Sequence, residues 1–178
     1  MKSTPAVILL FACVGLGACT APRVFPPDVL VGVDPDFDFT RWRMMPNQAE
    51  TKKIRLGGRI VQSDTKGDTV TIVVAQLPIV EHPAYGPKET GKRSGEFAIR
   101  YSGKIEATYL QPGNRVMVVG TTHAPMVVSV DDLPKSLPTV VAKCVHLWNT
   151  GGRDIADFPS FGAGYETLEE QTACTPNP

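Results

Sequence analysis

From Thr69 to Val74 every residue is β-branched, TVTIVV, and the run continues apolar to Leu77. Side chains branched at Cβ lose rotamer freedom in a helix and pack well on a pleated surface, so this segment is a strand. Ile54 to Gln62, IRLGGRIVQ, reads as the strand before it, joined by the polar stretch Asp64-Thr65-Lys66-Gly67-Asp68. The pair predicts a hairpin with a loop of moderate length. Gly57-Gly58 inside the first strand marks a bulge or sharp coil where a sheet closes. A loop rich in Pro, Gly and charge follows over 82–95, with Lys88, Lys92 and Arg93 diluted by Glu89. Phe97, Ile99 and Tyr101 alternate with Ala98 and Arg100 as a third strand. After the turn Gln111-Pro112-Gly113-Asn114, Arg115 to Thr122 is a fourth strand, and Thr139 to Trp148 a fifth. Leu133 to Pro138 reads as a Pro-punctuated connection between them. Five strands with a glycine-bent first one predict a mainly β fold, an OB-like five-stranded barrel, with a small sandwich as the alternative. Residues 36–150 form this domain. Residues 151–178 read as an irregular, wrapping or mobile tail.

The first eighteen residues are of another kind. Lys2 precedes the apolar run Ala6 to Leu16, AVILLFACVGL. A bilayer-spanning helix needs about 20 apolar residues, so this run has instead the length of a signal-peptide core. It ends in Leu16-Gly17-Ala18-Cys19. Small residues directly before a cysteine resemble the lipobox of bacterial lipoproteins. The resemblance implies a diacylglycerol on the Cys19 thiol, cleavage before it, and acylation of the new amine. An uncleaved anchor, or an ordinary signal followed by a chance cysteine, is the alternative. Cys13 would leave with the leader. Acyl chains contribute roughly 0.8 kcal/mol per buried CH₂, and two or more make a stable anchor. The resemblance makes the membrane a partner through lipid. Thr20 after the cysteine, rather than Asp, points to the outer membrane.

Pro22, Pro26, Pro27 and Pro35 punctuate the stretch that follows. Residues 19–35 therefore read as an extended tether, reaching about 20–25 Å as coil. In Asp36 to Met45, DFDFTRWRMM, Asp36 or Asp38 can cap a short helix whose aromatics pack on the domain.

Behind the lipobox, Leu56-Gly57-Gly58-Arg59-Ile60-Val61 opens the domain and Gln76-Leu77-Pro78-Ile79 closes the second strand. Gly95-Glu96-Phe97 opens the third, and Tyr109, Gly113, Val116, Val118 and Gly120 follow in spaced order. In this order the motifs resemble the Slp family of outer-membrane lipoproteins, over roughly residues 19–150. The resemblance implies a non-enzymatic lipoprotein facing the periplasm, with no catalytic residues to carry over. The chain departs from the family pattern after Trp148, where its tail carries Cys174 and few aromatics.

Composition narrows function further. Lys plus Arg is 18 and Asp plus Glu is 18. That balance argues against nucleic acid, which requires clustered positive charge. Gly-x-Ser-x-Gly, His-Glu-x-x-His and a phosphate-cradling glycine loop are absent from the sequence, and no cofactor is implied. Asp131-Asp132 and Glu169-Glu170 are adjacent pairs that point apart on extended chain and read as solvated. Cys144 and Cys174 are a candidate disulfide. Closing a loop of that length is worth about 3–4 kcal/mol in the chain-entropy account. The alternative is a buried Cys144 and a free Cys174. Cys144 and His146 share one strand face as two metal-type ligands. A zinc site needs three or four, and His82 and His123 lack matching spacing, so no metal is predicted.

Two roles remain open. One is structural in the cell envelope. The other is a module that binds an envelope glycan, lipid or protein, with the loop 82–95 and Phe97, Ile99 and Tyr101 as its wall. Exposure of that aromatic row would favour binding, and its burial would favour a plain core.

Overall fold

The computed structural model describes residues 24–46, 51–81, 84–91, 94–158 and 167–176. It is mainly β, with eight strands among the described residues. They are β1 (Lys53–Lys66), β2 (Thr69–Leu77), β3 (Ile79–Val80), β4 (Gly86–Pro87), β5 (Glu96–Ser102), β6 (Arg115–Val130), β7 (Leu133–Trp148) and β8 (Glu170–Cys174). Two short helices, α1 (Pro27–Leu30) and α2 (Phe39–Met44), precede them.

Five strands hydrogen-bond in a ring. β1 pairs with β2, β2 with β5, β5 with β7, β7 with β6, and β6 returns to β1. Every step is antiparallel except β5–β7. This is the OB-like arrangement that the strand pattern predicts, and it leaves few free edges. β7 gives one edge to β6. It divides the other between β5, at Thr139–Val141, and β8, at Cys144–Trp148.

Strand alternation sorts the core into three parts. Val70, Ile72 and Val74, with Phe97, Ile99, Val116, Val118, Val145 and Leu147, fill the ring. The intervening residues are apolar too, because the outer faces are also covered. Val73 and Ala98 lie beneath Val130 and Leu137 of the extended β6–β7 hairpin. Met117, Val119, Cys144 and Trp148 lie beneath Phe25 and Val29 of the N-terminal segment. Unbroken apolar runs such as VMVV are what a strand buried on both faces requires.

The glycine pair acts through close approach. A Cβ on Gly58 would overlap the Ala75 carbonyl oxygen and Val74 Cγ1, and one on Gly57 would press on Ile79 and Pro87. The β1–β2 register shifts just beyond, between Ile60 and Gln62. Gly58→Ala should therefore destabilise the fold by about 1–3 kcal/mol, the range for overpacking where the obstacle is backbone. Urea unfolding would check this, and an unchanged midpoint would contradict it.

Four expectations change. The β1–β2 loop is not of moderate length, because Lys66 pairs with Thr69 across Gly67-Asp68 alone. Gly67 supplies the positive φ, 58°, that such a tight turn favours. Leu133 to Pro138 is strand rather than connection. β6 and β7 run on as a hairpin arm that turns at Asp131 and Asp132, with φ of 50° and 61°. Asp tolerates the left-handed region better than most residues, and the prolines are accommodated on an arm with solvent-facing edges. The C-terminal segment is not wholly irregular, since β8 joins the sheet. Finally, the Pro-rich segment is docked from Val24 onward rather than extended. Pro27 stands in the first turn of α1, where its missing N–H leaves no bond unmade. Asp38 caps α2, accepting from the Arg41 N–H at 3.0 Å, and Phe39 and Trp42 of that helix are buried.

Candidate functional site

Residues 24–33 form a strap over the outer face of β6 and β7. Phe25 and Val29 are 3% and 6% exposed. The Phe25 ring meets His146 edge-on, with centroids 6.3 Å apart, and His146 meets Trp148 at 4.2 Å. The Thr172 hydroxyl of β8 donates to the Val24 carbonyl at 3.3 Å and lies 2.6 Å from His146 Nδ1. Glu170 Oε2 stands 3.3 Å from Nε2 but out of hydrogen-bond alignment.

Burial holds the His146 pKa below its ordinary value of 6.5, and the Glu170 carboxylate opposes that shift without cancelling it. The unfolded chain binds a proton as pH falls through about 6.5, while folded His146 stays neutral. Its contribution is therefore complete above that pH and is lost on acidification towards the lower folded value. Melting temperature should fall as the pH drops below about 6.5, and His146→Gln should flatten that part of the profile. Identical profiles for the two proteins would refute this.

Cys144 and Cys174 face each other across β7 and β8 and are joined, with the sulfurs 1.99 Å apart. The bond fixes the edge strand that carries Thr172, so strap, His146 and disulfide form one connected unit. Bonded in this way, Cys144 offers no thiolate to a metal, and no cluster of three or more metal-type ligands occurs among the described residues.

A groove of about 620 Å³ opens elsewhere, between β1, β2 and the base of the arm. Half-buried Val61 and Ala75 give it apolar surface, with Leu77 and Leu137 buried at its floor, and Arg43, Arg59 and Glu89 stand around it. Arg59 and Glu89 are 3.8 Å apart. Beside them Arg115, 2% exposed, reaches Asp154 at 2.8 Å and pins the loop after β7.

The wall predicted for a binding module is not at this groove. Phe97, Ile99 and Tyr101 are 0%, 0% and 2% exposed and belong to the ring core. The loop 82–95 contributes β4, which pairs with β3 just ahead of the loop, while Lys92 and Arg93 lie outside the described residues. So does Cys19. Sequence reasoning missed the strap and the groove. The one local signal for the strap was Phe25 followed by Pro26-Pro27-Asp28, an apolar residue before a helix-compatible proline. For the groove there was none, because Arg43, Arg59 and Leu137 come together only through the ring.

A sheet closed into a ring, with an N-terminal strap docked on one face, defines a mainly β domain. The model of the outer membrane lipoprotein Slp family matches residues 16–166, and the chain belongs to that family. No curated protein and no solved structure matches it.

Proposed function

We propose that the chain is a periplasm-facing outer-membrane lipoprotein, anchored by acyl groups on Cys19, whose domain serves the envelope by structure or by binding. The carrying observation is the family match, which extends from the lipobox through the whole ring. Two acyl chains or more give anchoring that one chain does not. An oxidising periplasm is also a compartment in which the Cys144–Cys174 bond persists. The proposal includes no enzymatic step.

Palmitate labelling tests the anchor. Wild type should incorporate label and accumulate as uncleaved precursor when signal peptidase II is inhibited, whereas Cys19→Ser should take up no label and show the same processing with and without the inhibitor. Label on Cys19→Ser would refute it. Protease should degrade the domain in permeabilised cells and spare it in intact ones. Degradation in intact cells would place the domain on the other side.

The groove under the arm favours the binding half of this reading. Its mixed lining, apolar with Arg and Glu at the margins, suits a small polar envelope fragment better than a flat apolar partner. Soluble peptidoglycan fragments should shift amide resonances around Arg59 and Leu137. Shifts confined elsewhere, or absent at millimolar ligand, would leave the structural role.

A further inference from the structure

We propose that the domain has a fixed polarity on the bilayer, with the strap-covered face of β6, β7 and β8 against the lipid and the groove facing away. The proposal rests on the acylation of Cys19 and adds which surface meets the membrane.

Chain length carries the argument. Only residues 20–23 separate Cys19 from Val24. Extended chain covers at most about 3.6 Å per residue, so Val24 lies within roughly 18 Å of the acylated residue. Val24 is itself held, its carbonyl accepting from Thr172 and the next side chain, Phe25, sunk beneath the strap. The leash therefore ends on the outer face of β7 and β8. Swinging the opposite side of the domain onto the lipid would require the strap to peel off and expose Phe25 and Val29.

The surface beside the leash fits an interface. Val31, 71% exposed, projects from the turn after α1, and the Lys53 ammonium donates to its carbonyl at 2.7 Å. Lys52, paired with Asp34, lies next to it. An apolar tip flanked by lysine stems suits the headgroup boundary, where the stem is buried and the charge stays wet.

Ring order places the groove. β2 is separated from β6 by β1 and from β7 by β5. An element on the outer face of β2 is thus across the ring from one on β6 and β7. The arm lies on Val73 of β2, and the groove runs along the β1–β2 side, lined by Arg59 and Val61 of β1, Ala75 and Gln76 of β2 and the base of the arm. Held by the strap, the protein presents that side to the aqueous phase.

Spin labels on the acylated full chain test this in vesicles of phosphatidylethanolamine and phosphatidylglycerol carrying a nickel-chelating lipid. With Cys19 acylated and Cys144 bonded to Cys174, an introduced cysteine is the single reactive thiol. Labels at Val31→Cys and Glu170→Cys should relax several-fold faster than labels at Leu133→Cys and Asp64→Cys. Equal enhancement at all four sites, or greater enhancement at Leu133, overturns the polarity. Flotation separates the two readings. A protein that neither carries lipid mass nor floats with vesicles refutes the anchor, whereas one that floats with equal labels refutes only the orientation. Phe25→Ser with Val29→Ser frees the leash as far as Asp34, to at most roughly 50 Å. The Glu170 signal should then fall several-fold with flotation unchanged, and a retained signal counts against the strap. The four-label comparison holds whether or not that variant folds.

Discussion

Replacing Asp154 by alanine should cost roughly 3 kcal/mol of stability, more than most single surface changes on this domain. The reason is what remains behind. Arg115 is 2% exposed, and its guanidinium donates through Nη1 to the Gly113 carbonyl and through Nη2 to Asp154, both at 2.8 Å. Nε has no hydrogen-bond partner among the described residues. Without Asp154 a buried cation keeps one carbonyl and loses its counter-charge. Breaking such a pair from one side typically costs about 3–5 kcal/mol. The Asp154 side chain is 26% exposed, so water reaches the vacated place and the loss falls towards the lower end. Asp154 also belongs to the reciprocal capping box of the turn Ile155–Asp157, which places Ile155 under the strap. Urea unfolding of Asp154→Ala should show the loss. The paired change Arg115→Met with Asp154→Leu should be milder than Asp154→Ala, because it removes both charges together. If Asp154→Ala moves stability by less than about 0.5 kcal/mol, or the pair is the worse variant, the ion pair has been misjudged.

Removing the disulfide should have an effect of similar size, but a wider structural reach. Cys144→Ser with Cys174→Ser should lower stability by about 3–4 kcal/mol, the loop-closure contribution of a bridge separated by 30 residues. β8 is short, Glu170–Cys174, and pairs with β7 alone. Without the bond its hold is the five-pair ladder to β7, the burial of Ala173 and a few side-chain hydrogen bonds such as that of Gln171 with the Glu106 N–H. Thr172 would loosen with it, and the strap would lose its hydrogen bond at Val24. The double variant should therefore be cut faster by protease both near β8 and in the strap. Reductant should bring the wild type down to the stability of the variant and leave the variant unchanged. Cys144 is fully buried, so reduction should be slow until β8 opens. Rapid reduction under native conditions, or a variant as stable as wild type, would contradict this account.

Both predictions concern parts of the protein that strand periodicity hardly signals. The ring strands were legible because each carries its pattern within a few residues: β-branching from Thr69, alternation from Phe97, valines from Val116. The asparagine at the end of the turn, Asn114, was legible only as turn chemistry. In the fold it is wholly buried, donating to the Thr108 and Tyr109 carbonyls and accepting from the Gly151 N–H. Its partners are distant in sequence or irregular, so no window of residues reveals them.

The same division runs through the whole molecule. The family membership that follows from ordered motifs and the mainly β class are written locally, in residue type and short spacing. The covering of the ring is not. Val73 and Met117 read as ordinary strand residues, and only the path of the arm and the strap decides that their outer faces are buried. Those two coverings are built from Pro-rich or weakly patterned segments, whose conformation is set by what they land on rather than by intrinsic preference. The docking of Phe25 beside His146 and the groove at Arg59 follow from ring closure. That closure brings together residues which sequence distance keeps apart.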